Sequence, residues 1–362
     1  MIIIFNRRGG LINLNFSKIN RNNLNNKKIE SKMFNKDKNK ILILGLLIII
    51  VLVLIYLSIT LGFINTSYKT VIEAYNAYNA SQEHIIIKTS RVPRTITGLM
   101  VGGALGLAGL LIQAVTRNEL ASPSILGVNS GAVLALVVSI IFLPQLSLFP
   151  MVIIAFLGAL VATFFVYISS GGLHGEVRPM DLTLGGTAFS ALFFSLTQGI
   201  LYKHEAALEE VMYWMIGSIE GKSLNIILRF IPIILLVMFI CLFLGKKLNA
   251  LSLGEEMAKA LGVNTLYLKL TIIVIVSVLS GISVALSGPI AFVGLVTPHL
   301  VKRFFGRDYR WLIPFSIFVG AAILLSADII SRFIIFPKEV PVGAVTALLG
   351  GPFFIYIAKR RE

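Results

Sequence analysis

Two adjacent carboxylates, Glu255 and Glu256, stand in LSLGEEMAKALGV (residues 251–263), a polar island between the apolar runs IILLVMFICLFLG and LTIIVIVSVLSGISVAL. Glu255 and Lys259 lie four residues apart, so a short exposed helix here gains an ion pair. Leu253, Met257, Ala260 and Leu261 share another face of that helix. A segment of this kind either lies at the membrane interface without a partner or meets a second protein. Asp328 and Arg332 form another i,i+4 pair in ADIISR, and RVPR carries Arg91 and Arg94. In DLTLGGTAFSALFFSLTQG, Thr183, Thr187, Ser190 and Thr197 form a mildly polar stripe that Phe194 completes. Such a stripe lines a water-filled pathway or supplies hydrogen bonds between helices. Bond-making chemistry has no comparable support. His299 has no second ligand nearby in the sequence. GSIEGKS (217–223) has three residues between its glycines where a phosphate-binding loop needs four. Acidic residues are too few, and too confined to loops, for a paired-carboxylate site or a nucleophile triad. No catalytic residue, metal site or cofactor is expected.

The elements that position these residues follow from composition. Of 362 residues, 56% are hydrophobic and 14% charged, with mean hydropathy +0.88. A soluble domain of this size cannot hide so much apolar surface, so the chain reads as a multi-pass membrane protein. The net charge of +15 does not indicate nucleic acid, because the Lys and Arg residues gather ahead of the first span and at span ends. The lone cysteine, Cys241, excludes an intrachain disulfide. A span takes roughly 20 mostly apolar residues. Ten candidates are found, at about 41–63, 92–115, 124–144, 150–169, 181–202, 225–245, 265–287, 288–304, 311–331 and 341–358. With the N-terminus inside, most basic residues fall on cytoplasmic segments, and the even span number also places the C-terminal KRRE inside. Residues 41–362 form the permeating domain in this reading. Residues 1–40, rich in Asn and Lys, read as a disordered cytoplasmic leader, and Met33 offers an alternative start. Span two carries Gly98, Gly102, Gly106 and Gly109 on one stripe ending at Gln113, which suits close helix packing in lipid. Pro289 and Pro298 bracket span eight, where a broken or kinked helix is expected.

Four blocks in order, RVPRTITGLMVGGALGLAGLLIQAVTRNELASPSILGVNSGA, LGEEMAKALGV, GPIAFVGLVTPHLVKRFFGRDYR and ADIISRFIIFPKEVPVGAVTALLGGPFFIYI, resemble the signature blocks of FecCD-type permeases. These are the membrane subunits of ABC importers for iron–siderophores, haem and cobalamin. The resemblance spans about residues 41–360, with NELA (118–121) standing where the family has NPLA. It implies an all-α membrane protein of the type II ABC importer permease fold, with ten transmembrane helices and both termini cytoplasmic. It further implies a pair of permeases in the cell membrane, separate ABC ATPase subunits and an extracytoplasmic substrate-binding protein. By resemblance, about 252–262 is the coupling helix that docks into the ATPase. Glu255 and Glu256 would meet that partner, while Gly254, Ala258, Ala260 and Gly262 belong to the same motif, whose small residues keep it compact. Arg91 and Arg332 match outer arginines that pair with glutamates of the binding protein. Span five, with Thr183, Thr187, Ser190 and Thr197, matches the pathway-lining helix, and Arg178 to Asp181 and Thr183 the cytoplasmic gate. Iron–siderophore is the expected substrate, with haem and cobalamin as alternatives.

A secondary transporter is the leading rival, because it too uses broken helices. It needs an acidic residue near mid-membrane, whereas Asp181 and Asp328 lie towards span ends. The charge distribution yields a direct test of orientation. With Cys241 replaced by Ala, a cysteine placed at Ser252 is expected to be shielded from an impermeant thiol reagent in intact cells. One placed at Ser147 is expected to react, and outside labelling at Ser252 would overturn the orientation.

Overall fold

Glycines at four- and three-residue spacing leave one side of a helix without side chains, so another backbone can lie directly against it. The helix carrying Gly98, Gly102, Gly106 and Gly109, α4 (Val92–Thr116), is buried along nearly its whole length. The computed structural model describes the backbone at residues 3–5, 11–13, 16–62, 64, 66–143, 145–172, 179–335 and 338–359. The chain divides into two units, 1–48 and 49–362. The first holds an antiparallel pair of strands, β1 (Ile3–Phe5) and β2 (Leu11–Asn13), and the opening of α1 (Phe16–Thr60). Helix thus reaches into the leader that composition marked as disordered. Extending a helix from an apolar span is easier than nucleating one, which composition does not register.

In the second unit, α2 (Tyr68–Asn76) and α3 (Gln82–Ile86) follow α1, and a π-helical turn at Ile87–Arg91 leads into α4. Next come α5 (Val128–Phe142), α6 (Leu148–Ser169), α7 (Pro179–Lys203), α8 (Glu205–Ile216) and α9 (Leu224–Leu242). Two short helices, α10 (Gly245–Ser252) and α11 (Glu255–Ala260), precede α12 (Thr265–Ser287), α13 (Val293–Phe305), α14 (Tyr309–Ser331) and α15 (Val342–Lys359). Around α4 pack α12, α13, α14 and α9, while α5, α6 and α7 form a second group that α12 joins to the first.

Among the described residues, seven helices are long and apolar enough to cross a membrane: Lys38–Thr60, Gln82–Thr116, Leu148–Ser169, Met180–Lys203, Leu224–Leu242, Thr265–Ser287 and Tyr309–Ser331. The other three expected spans are occupied by α5, α13 and α15, of 15, 13 and 18 residues. At 1.5 Å per residue α13 rises about 20 Å, short of a hydrocarbon core of about 30 Å. The break lies before it. Gly288 ends α12 at φ 69°, and Phe292 takes φ 66°, a conformation that costs a non-glycine residue of order 1–3 kcal/mol. Irregular backbone at this depth survives only where protein covers it, and Pro289 lies against Gly217 at the end of α8.

The glycine stripe does the packing expected of it. Gly102 and Gly106 face backbone of α14 at Gly320 and Ser316, and Gly109 faces Gly294 of α13. A methyl at Gly109 would overlap the Gly294 carbonyl, which cannot swing away as a side chain would. Gly109→Ala is therefore expected to strip folded protein from the membrane, since overpacking costs about 1–3 kcal/mol even where side chains can yield. Gly45→Ala, with nothing within 4 Å, is the matched control. Gel filtration of detergent extracts reads the difference, and equal monodisperse yields would refute the close-approach role.

Candidate functional site

The polar island expected between two spans forms α10 and α11. Gly254 (φ 121°) opens α11, and the far end closes in a Schellman motif, with Gly262 N–H donating to Lys259 O and Val263 N–H to Ala258 O, both at 2.9 Å. Gly262 takes φ 78°, which explains the glycine better than compactness does. Of the small residues expected to keep the motif compact, only Ala258 is buried; Ala260 and Gly262 are exposed. Glu256 is exposed, whereas Glu255 is half-buried and bonded within the chain. Its Oε1 accepts from Lys269 Nζ at 2.5 Å, and Lys269 lies in the second turn of α12. That bond, with help from Arg117 and Lys259, holds the Glu255 carboxyl below its usual range against partial burial. Its contribution to stability is present above the ordinary glutamate range and disappears as acid protonates the folded carboxyl. What α11 does present is apolar: Leu253, Met257 and Leu261 are 67%, 53% and 59% exposed. These are the residues sequence spacing put on one face.

Two further ties hold this segment. Asn249 Nδ2 donates to Asp308 Oδ1 at 2.7 Å, and Tyr309 N–H donates back to Asn249 Oδ1 at 2.8 Å. Asp308 caps α14, and Arg310 beside it holds its carboxyl down at about 2. That stabilisation is present above the usual aspartate range and is lost as pH falls through about 2. Arg117, left-handed at φ 49° past the end of α4, donates from Nη2 to Leu251 O at 3.4 Å. Nearby, Gln113 bonds Glu119 O at 2.7 Å and accepts from Lys302 Nζ at 3.0 Å. NELA turns without a proline, because Ala121 N–H donates to Asn118 O and Leu120 N–H to Asn118 Oδ1.

At the other end of α4, Arg91 and Arg332 were expected as outward charges. In the structure both are buried within the chain, 5% and 4% exposed. Arg91 Nη1 donates to Ile59 O at 2.9 Å, Thr60 O at 2.8 Å and Thr66 Oγ1 at 2.7 Å, and Nη2 to Ile64 O. Arg332 Nη1 donates to Ser58 O at 2.6 Å and Leu61 O at 2.8 Å. Both guanidinium groups therefore answer the carbonyls that α1 leaves unpaired at its C-terminus, where positive charge is favoured. Asp328, fully buried, accepts from Arg332 and from Arg94 Nε at 2.6 Å, and Arg94 also pairs with Glu339. Arg94 and Glu339 were not singled out as site residues from the sequence. Beside the cluster lies a cavity of about 190 Å³ lined by Ser90, Arg91, Arg94, Arg332 and Glu339 among others. Arg332 Nε is a buried donor with no hydrogen-bond partner among the described residues.

The polar stripe of α7 divides. Thr187 is exposed, and Thr183, Ser190 and Asp181 are half-buried. Thr197 corrects the expectation, since it is buried and donates to Phe193 O of its own helix at 2.7 Å. It shares its face with Leu201, which packs against Val133, Val137 and Val211. Arg178 lies outside the described residues. Among the described residues much of α7 is exposed, including Leu184, Leu192, Phe194 and Leu196.

Comparison with known proteins is consistent with this arrangement. Residues 49–360 match the model of the FecCD transport family. The chain is 44% identical over 304 residues to "Probable siderophore transport system permease protein YfiZ" of Bacillus subtilis, covering 84% of this chain and 91% of that one. It is 37% identical over 305 residues to the ferric enterobactin transport system permease protein FepD of Escherichia coli, with 84% and 91% covered. It is 34% identical over 310 residues to the hemin transport system permease protein HmuU of Yersinia pestis, again with 84% and 91% covered. A solved structure assigned to the metal-chelate type of ABC transporter, in an inward-facing conformation, superposes with a TM-score of 0.77 at 30% identity, over 88% of this chain and 99% of that one.

The buried charges make a stability test. Asp328→Ala strands two buried arginines, a class of change that costs about 3–5 kcal/mol. The expected result is a large loss of thermal stability in detergent and of protein in the membrane. An unchanged melting temperature would show that Asp328 does not hold the cluster together.

Proposed function

This chain belongs to the FecCD transport family, and on that premise we propose that it is the permease subunit of an ATP-driven importer carrying an iron–siderophore across the cell membrane. Members of this family are transport components of ABC systems in multi-pass membrane proteins, and no bond chemistry is assigned to the chain. The substrate reading draws on relatives named for siderophore and ferric enterobactin transport, which match at higher identity than the hemin permease. Ten membrane crossings with both termini cytoplasmic complete the proposal, with α5, α13 and α15 as the short crossings.

The single observation that carries the reading is the apolar face of Leu253, Met257 and Leu261, held outward on a capped segment between two membrane helices. Such a face, left in solvent on a short helix, fits a groove in an ATPase partner. Glu256 would stand at its rim. A binding protein would dock at the opposite side. There the cavity lined by Arg91, Arg94 and Arg332, with Glu339, would take an incoming carboxylate, and Arg332, whose buried Nε has no partner among the described residues, would turn that donor to it. Burial makes that contact a desolvated one, so it differs from a surface charge pair. The uncovered side of α7, with Thr183, Thr187 and Ser190, would line the pathway against a second permease. Arg178 and Asp181 would gate its cytoplasmic end. ATP binding and hydrolysis in the partner would then rock the paired permeases between outward and inward openings. An ion-coupled reading finds no support in Asp328, whose two oxygens are taken by Arg94 and Arg332.

The test is association and stimulation in the assembled complex. Leu253→Asp with Met257→Asp is expected to reduce co-purification of an ATPase more than tenfold while leaving the amount of permease unchanged. Arg332→Lys keeps the charge but loses the Nε donor, and is expected to weaken binding-protein affinity on the order of tenfold, the effect of about 1.4 kcal/mol. An ATPase that stays bound to the double variant would sink the docking assignment. ATP hydrolysis that no ferric chelate stimulates would sink the importer reading.

A further inference from the structure

Lys269 is the one cation placed inside the long α12 span, Thr265–Ser287, and it is 6% exposed. A buried ammonium in an apolar helix is costly without an anionic partner, and this one finds its carboxylate outside its own helix, on Glu255 of α11. Its partner is half-exposed, so the pair sits on the boundary between the cytoplasm and the buried core.

From this geometry we infer that Lys269, through Glu255, is a positioning residue for energy coupling. It makes α11 and α12 move as one body. The inference rests on the reading of α10–α11 as the ATPase contact. The segment is tied at a second point, Asn249 to Asp308, where α14 begins. α12 and α14 both pack against α4, so a displacement of α10–α11 reaches the core through these two side-chain ties as well as through Arg117 at Leu251 O. The loop 261–264 joins the same two helices through the Schellman closure at Gly262 and the Asn264 cap of α12, and the ion pair adds a side-chain tie to that backbone connection. A partner seated on the apolar face of α11 excludes water from Glu255, whose side chain is 39% exposed when unpartnered. Lower local dielectric strengthens an existing ion pair. The tie therefore tightens when the ATPase is bound, which is when force passes through it.

The experiment uses the full complex in membranes, with ferric hydroxamate and ferric citrate as uptake probes. Lys269→Met removes the cation at similar volume and leaves Glu255 able to turn to water, so the permease is expected to reach the membrane in normal amount. The ATPase is expected to co-purify within twofold of the unmodified complex and to hydrolyse ATP, while iron taken up per ATP hydrolysed falls at least tenfold. The swap Glu255→Lys with Lys269→Glu is expected to recover uptake per ATP to within threefold, and Lys269→Arg to lose little. Normal uptake per ATP in Lys269→Met, or loss of the ATPase from that complex, would overturn the positioning role. Failure of the unmodified chain to retain any ATPase would overturn the importer reading, and the coupling role with it.

Discussion

Backbone-to-backbone approach between α4 and its neighbours sets where every other group in this protein lies. Lipid tails are as apolar as leucine, so helices in a membrane gain nothing from hiding leucine against leucine. They associate through close packing and interhelical hydrogen bonds. Gly102 and Gly106 let α14 lie against α4, and Gly109 does the same for α13. The two ends of α4 then become fixed platforms. Arg91 and Arg94 stand at or beside its start, and Gln113 and Arg117 at or just past its end. The charge cluster gathers at the start of α4, and at its other end Gln113 and Arg117 add to polar ties that otherwise run from α10–α11 to the starts of α12 and α14.

Charge placement follows from what must be satisfied locally. Four carbonyls at the end of a helix lack intrahelical partners, and α1 ends where little water reaches. Arg91 and Arg332 supply donors there, a role for both arginines that does not depend on which side of the membrane they face. Asp328 then balances Arg332 and Arg94 in a fully buried setting. The guanidinium of Arg332 is held by its Nη atoms, while its buried Nε has no hydrogen-bond partner among the described residues.

Among the described residues, the exposed surfaces of α7 and α11 differ in kind. The α7 surface is long and apolar with a few hydroxyls, as expected for a helix flanked by lipid, a pathway or a second copy. The α11 surface is small, apolar and set among charged residues outside the spans. Lipid or another membrane protein can cover the first, and the second is open to a soluble partner. Both kinds of surface are in keeping with a chain of the FecCD transport family.

Hydropathy and spacing were enough to identify the membrane class, the glycine stripe, the break before α13 and the polar island, because each depends on residues close in sequence. The apolar face Leu253, Met257 and Leu261 was legible for the same reason, as helical periodicity alone brings those side chains together. Partnerships across the fold were not legible. Nothing near Glu255 in sequence points to Lys269, fourteen residues on, and its local i,i+4 neighbour Lys259 was the more obvious choice. Arg332 reaches Ser58 across 274 positions, so its burial depended on how α1, α4 and α14 pack. Thr197 looked like its stripe-mates until packing of α7 against α5 turned it inward. Local pattern determines which groups a helix carries on each side. Which side faces protein, lipid or water is decided only when the helices meet, because burial is a property of the neighbours.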